Sequence, residues 1–127
     1  MKLLIDTHLL LWAAADTLPK KALHYFTNEE NLLFFSTASI WEVVIKSKLN
    51  RPDFQVDPDA LYNGLLENGY TELPINSQHA LSVLNIPAWH KDPFDHILLA
   101  QATKEKCSLL SSDKILSKYP SVIYIEA

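Results

Sequence analysis

Short apolar runs alternate along this chain with longer segments of helical periodicity, and the first run sets the terms for the rest. Leu3-Leu4-Ile5 ends on an acid, Asp6, and passes at once into an apolar helical segment, Leu9 to Ala15. Further runs read as strands at Leu32 to Phe35, Tyr70 to Leu73, Leu109 to Ser111 and Val122 to Ile125. Between them lie helical segments: Lys20 to Phe26, Ala38 to Lys48, a helix opened by Asp57-Pro58-Asp59 and ended by Asn68-Gly69, another from Asn76 or Ser77 through Leu84, and one from Pro93 to near Lys106. A run that is apolar on both faces needs cover on both faces, which parallel sheets receive from their crossover helices. The order therefore predicts an α/β domain with three layers, α/β/α, around a central, mostly parallel sheet of about four to five short strands.

Composition narrows the class. A chain of 127 residues forms one domain, 1–127, with a proper core. Eleven basic against fifteen acidic residues leave a net charge of −4, so nucleic acid would be met through a local patch or a metal rather than a general basic surface. Cys107 is alone, which excludes an internal disulfide and fits a reducing compartment; it reads as a small core residue. Lys2 and the run after it mimic a secretory signal, but Asp6 and His8 interrupt it, and no stretch approaches the roughly 18–20 apolar residues of a membrane span.

Acids recur at the junctions. Asp6 follows the first strand, Asp113 the strand at Leu109 to Ser111, Glu42 lies in the helix after the second strand, and Asp92 and Asp95 flank Pro93 at a helix start. Each has an ordinary structural explanation. Asp6, Asp92 and Asp113 suit helix caps, Asp95 suits a first turn, and Ser39-Ile40-Trp41-Glu42 matches a capping box. In a parallel α/β sheet, however, strand ends and helix starts share one edge, where such folds place their ligands. Asp6, Glu42, Asp95 and Asp113 are thus expected in one crevice. Ionised carboxylates there repel by about 1–4 kcal/mol per pair at roughly 4 Å. Such a cluster persists when a cation joins it or when its pKa values rise. Mg²⁺, and Mn²⁺ in second place, match oxygen donors, and an acid cluster with such a metal suits phosphodiester hydrolysis by activated water.

The segments Leu4-Ile5-Asp6-Thr7-His8, Ser36-Thr37-Ala38-Ser39-Ile40-Trp41-Glu42 with Ile45-Lys46, His90-Lys91-Asp92-Pro93-Phe94-Asp95 with Ile97 to Ala102, and Ser111-Ser112-Asp113 carry a family likeness. Over Leu3 to Ile125 the chain resembles a PIN-domain ribonuclease of the VapC toxin type, from type II toxin–antitoxin systems. The resemblance implies a PIN-like fold and a metal-dependent endoribonuclease. It makes Asp6, Glu42, Asp95 and Asp113 the catalytic and metal-binding acids, with Asp92 an additional acid near them and Thr7 and Ser111 as polar support. It further implies an RNA substrate, a cognate VapB-type antitoxin lying across the acidic crevice, and a homodimer. His96 stands where relatives commonly carry arginine, and Asn50 replaces a usual glycine after the third helix, which a left-handed position tolerates.

His8, His90 and His96 stand near acids, so a mixed histidine–carboxylate site is conceivable, but their spacing matches no zinc motif and His8 reads as a rim residue. Lys46, Lys48 and Arg51 gather at the end of the third helix, as favourable helix-end charges or as RNA contacts. Trp12, Trp41 and Trp89 read as core or interface residues rather than base-stacking platforms. Rival functions were a receiver-like Mg²⁺-binding phosphoacceptor, a dehalogenase-like phosphatase and a catalytically silent PIN scaffold. The first two want a second acid after the first strand, where Thr7 and His8 stand; the intact set of acids counts against the third.

Overall fold

The computed structural model describes residues 1–126. Five strands, β1 (Lys2–Ile5), β2 (Leu32–Ser36), β3 (Thr71–Leu73), β4 (Ser108–Ser111) and β5 (Val122–Tyr124), form one sheet in the order β3-β2-β1-β4-β5. All four pairings are parallel, with Leu4 opposite Phe34 on one side and Leu109 on the other. The helices are α1 (Thr7–Ala14), α2 (Lys20–Thr27), α3 (Thr37–Lys48), α4 (Pro58–Glu67), α5 (Ser77–Ser82) and α6 (Pro93–Lys104), with 3₁₀ turns at Val83–Asn85 and Lys114–Lys118.

Alternation along the central strands feeds two cores. Leu3 and Ile5 of β1 and Leu110 of β4 join Leu9, Leu10, Val43, Leu61 and Leu65 from α1, α3 and α4 on one face. Leu4 and Leu109 turn to the other face, against Leu98, Leu99 and Ala102 of α6 and against Leu116 and Tyr119. The expected three layers are present. Cys107 belongs to the second core, where burial pushes its thiol up.

Element ends differ from the expectation in ways the backbone explains. Helix α1 begins at Thr7 rather than Leu9, because Asp6 itself caps it. Pro19 holds the cap position of α2, and Asp16 takes a left-handed turn, φ 56°. Helix α6 stops at Lys104, since Lys106 is left-handed (φ 56°) and the Cys107 amide returns to the Ala102 carbonyl at 2.9 Å. Gly69 (φ 86°) and Asn50 (φ 51°) occupy the left-handed positions expected of them. The capping box at Ser39–Glu42 is not formed. Ser36 caps α3, accepting from the Ala38 amide at 3.0 Å, so Glu42 falls in the second turn and its side chain serves elsewhere. A capping box does form at Asn76, closed by the His79 side chain.

The chain runs from β1 outward to β2 and β3, then returns past β1 to β4 and β5. This reversal opens a crevice beyond the carboxyl ends of β1 and β4, where neighbouring loops diverge. Because Leu4 is fully buried against α6, Leu4→Ala is expected to lower stability by about 2–5 kcal/mol. Leu32→Ala, at an exposed position, should change it by less than about 0.5 kcal/mol. Denaturant unfolding of both variants checks this, and equal effects would contradict the assignment of the core.

Candidate functional site

Asp6, Asp92 and Asp113 reach the crevice because helix capping places them there. A capping carboxylate accepts a backbone N–H with one oxygen and keeps lone pairs free on both. Asp6 Oδ1 accepts the Leu9 amide at 2.9 Å, while Oδ2 accepts the Ser111 hydroxyl from the end of β4. The Ser111 oxygen in turn accepts the Asp113 amide at 3.0 Å, so one hydroxyl ties the ends of β1 and β4 together. Asp113 Oδ1 accepts the Ile115 amide at 2.9 Å, and Oδ2 faces inward. Asp92 caps α6 through the Phe94 amide at 2.9 Å, with Pro93 at the first helical position and Asp95 in the first turn.

Glu42 enters from α3. Thr7 Oγ1 lies 2.8 Å from Glu42 Oε1 and 2.9 Å from Ser39 Oγ. A carboxylate only accepts, so the Thr7 proton goes to Glu42. The other oxygen, Oε2, pairs with Lys46 Nζ at 3.0 Å, one helical turn on. Of the three expected RNA-contact residues, Lys46 is therefore committed to a site acid. Lys48 and Arg51 are exposed beyond it.

His90 is the residue that sequence reasoning underrated. Its Nε2 lies 2.8 Å from Asp95 Oδ2 and 3.0 Å from Asp113 Oδ2. His90, Asp95 and Asp113 each offer a ligand atom within 4.8 Å of the others, and among the described residues they alone form such a group. Asp6 and Glu42 stand outside this tightest set but act on it through charge. Asp95 is pushed from 3.8 to about 7, first by burial, then by the charge of Asp92, with Asp6 and Glu42 adding to the rise and His90 opposing it. Burial likewise raises Asp6, against the hydrogen bonds from Ser111 and the Leu9 amide, and Asp113 adds to the rise. His8 is exposed at the rim with its ring 6.3 Å from Trp12, and His96 Nε2 bonds to the His90 carbonyl oxygen. Neither is placed as a ligand.

The tryptophans sit around this frame. Trp41 is exposed and meets Phe94 edge-on at 5.3 Å, and Trp89 lies 4.9 Å from Tyr119. A cavity of about 920 Å³ lies on the far side of the loop carrying His90, lined by Ile86, Pro87, Trp89, Cys107 and Tyr119 among others, with no acid in its wall. The acid crevice is a separate feature. Its donor set of carboxylate oxygens and one imidazole, with excess negative charge and a strongly raised Asp95, fits a divalent cation.

The family profile described as PIN domain matches residues 3–122. No curated protein matches the sequence significantly. Among solved structures, VapBC2 from Rickettsia felis bound to a promoter DNA fragment aligns with TM-score 0.73 at 11% identity, covering 98% of each chain. DNA-bound VapBC from Salmonella typhimurium gives TM-score 0.71 at 15% identity, covering 98% of this chain and 97% of that one. A toxin–antitoxin complex from Klebsiella pneumoniae gives 0.67 at 18% identity, covering 94% of each. At these identities the likeness is one of fold.

The raised carboxyl of Asp95 has a consequence for stability. A carboxyl held higher in the folded chain contributes stability that is fully present below about pH 4 and lost as pH rises through about 7. In chelator, the protein should melt at a lower temperature at pH 8 than at pH 5, and Asp95→Asn should narrow that gap. Identical pH dependence in both proteins would show that Asp95 titrates as an ordinary aspartate.

Proposed function

The chain belongs to the PIN-domain family, and from that premise we propose that it is a metal-dependent endoribonuclease acting as the toxin of a toxin–antitoxin pair. The observation that carries the proposal is the convergence of Asp6, Glu42, Asp95 and Asp113 on one crevice at the switch point of the sheet, where burial and neighbouring carboxylates raise Asp6 and Asp95. Carboxylates crowded in this way are at odds with a purely structural role, since each cap needs only one acceptor oxygen.

In this reading Asp6, Asp95 and Asp113 hold a Mg²⁺ or Mn²⁺ ion, with Glu42 beside them. When bound, the cation supplies charge neutralisation for a phosphodiester and lowers the pKa of water at the site. The protein's part is orientation. Ser111 and the Leu9 amide fix the Asp6 carboxylate, and Thr7 and Lys46 hold Glu42 from two sides. The Asp113 cap keeps its Oδ2 turned inward. These acceptors would hold a water for in-line attack, with no covalent intermediate needed. Asp92 contributes by capping α6 and by raising Asp95.

The partner assignments rest on the fold. Several structures that this chain resembles over nearly their whole length are toxin–antitoxin complexes, which supports a VapB-type antitoxin as partner here. An antitoxin segment crossing the crevice would set a basic side chain against its acids. The exposed apolar residues Trp41 and Ile45 of α3, with Leu49 just beyond its end, leave surface for such a chain or for a second copy in a homodimer. No helix among the described residues is long and apolar enough to cross a membrane.

Purified protein incubated with labelled RNA should cleave it in Mg²⁺ or Mn²⁺ and not in chelator. Asp6→Asn should lower the rate by about 100-fold or more, beyond the loss usual for groups that only orient a ligand. Cleavage that survives both chelator and the substitution would refute the assignment.

A further inference from the structure

The loop Pro87 to Asp92 is tied down at nearly every polar group around His90. The His90 amide donates to the Tyr119 hydroxyl oxygen at 3.2 Å, and that hydroxyl donates to the Pro87 carbonyl. The His90 carbonyl accepts from His96 Nε2, and Trp89 packs on the Tyr119 ring. Backbone groups on both sides of one residue are thus anchored to β5's approach and to α6. The result is an imidazole whose Nε2 enters the gap between Asp95 and Asp113.

We propose that His90 is a direct ligand, through Nε2, of the divalent cation held by Asp95 and Asp113, and that it biases this centre toward Mn²⁺ over Mg²⁺. The inference rests on the reading of the crevice as a metal centre and adds a donor to it. Two donors on adjacent corners of an octahedron with bonds of about 2.1 Å lie about 3.0 Å apart. The separations of Nε2 from the two carboxylate oxygens, 2.8 and 3.0 Å, are those of donors sharing one coordination sphere. Mg²⁺ favours an all-oxygen shell, whereas imidazole suits transition metals, so a nitrogen donor shifts preference toward Mn²⁺.

The ring's other nitrogen fits this role with one adjustment. Nδ1 accepts the Asp92 amide at 3.4 Å, the longest contact in the network. Without a cation this places the ring proton on Nε2, between two carboxylates. A cation takes that proton's place, the proton moves to Nδ1, and the weak amide contact yields.

Calorimetric titration of the intact protein with Mn²⁺ and with Mg²⁺ tests the assignment, together with His90→Ala, His90→Gln and Asp113→Asn. The wild type should bind Mn²⁺ more tightly than Mg²⁺. Both His90 variants should lose most of that ratio while keeping Mg²⁺ binding, and Asp113→Asn should weaken both ions. In the unaltered protein, substoichiometric Mn²⁺ should broaden the His90 ring resonances before those of His24, an exposed histidine outside the crevice. An unchanged or higher Mn²⁺ affinity in the His90 variants would overturn the ligand role, the higher affinity marking His90 as a competitor of the ion. If Asp113→Asn binds both ions as the wild type does, or if the wild type binds neither, the metal-centre reading fails as well.

Discussion

Electrostatic crowding at one edge of the sheet is the constraint around which the rest of this molecule is arranged. Placing carboxylates from β1, α3, α6 and the β4 junction in one half-enclosed space is unfavourable unless each is held by donors and compensated by positive charge. The donors are in place. Helix-start amides serve Asp6, Asp92 and Asp113, hydroxyls of Thr7 and Ser111 serve Glu42 and Asp6, and Lys46 pairs with Glu42. What is left over falls on Asp95, which has His90 beside it and, among the described residues, no hydrogen-bonding backbone amide, and whose carboxyl is pushed up to about 7.

That arrangement depends on rigidity behind it. Ser111 and Asp6 sit on neighbouring central strands, joined also by the Asp6 amide to the Leu110 carbonyl at 3.0 Å. Leu3, Leu4, Ile5, Leu109 and Leu110 are completely buried, so these strand ends have little freedom to separate. Thr7 links the first turn of α1 to α3 across the same edge. The hydroxyls therefore act as cross-links between secondary-structure elements as much as partners of individual acids, and the site inherits the stiffness of both cores.

Much of this was legible in the sequence because parallel α/β architecture writes itself as alternating periodicities, and because its strand ends and helix starts necessarily share an edge. Asp6, Asp92 and Asp113 could be read as caps or as site acids, and the structure makes the two roles compatible: one oxygen caps while lone pairs remain for the crevice. The capping box at Ser39–Glu42 misled because Ser36, three residues earlier, is an equally good cap and starts the helix there. Lys46 looked like one of a helix-end cluster, yet its spacing of four from Glu42 is the spacing of an ion pair and could have been read as such. His90 was hidden for a different reason. Its position is set by Tyr119 and His96, contacts between an irregular loop and distant or helical residues that no periodicity encodes.

If these acids share a hard cation, crystals of the protein soaked in Mn²⁺ and measured at the manganese absorption edge should show an anomalous peak within bonding distance of Asp95 and Asp113 and on the Asp6 side of them. A crevice without a peak at saturating Mn²⁺, with all four carboxylates still in their places, would contradict a shared cation.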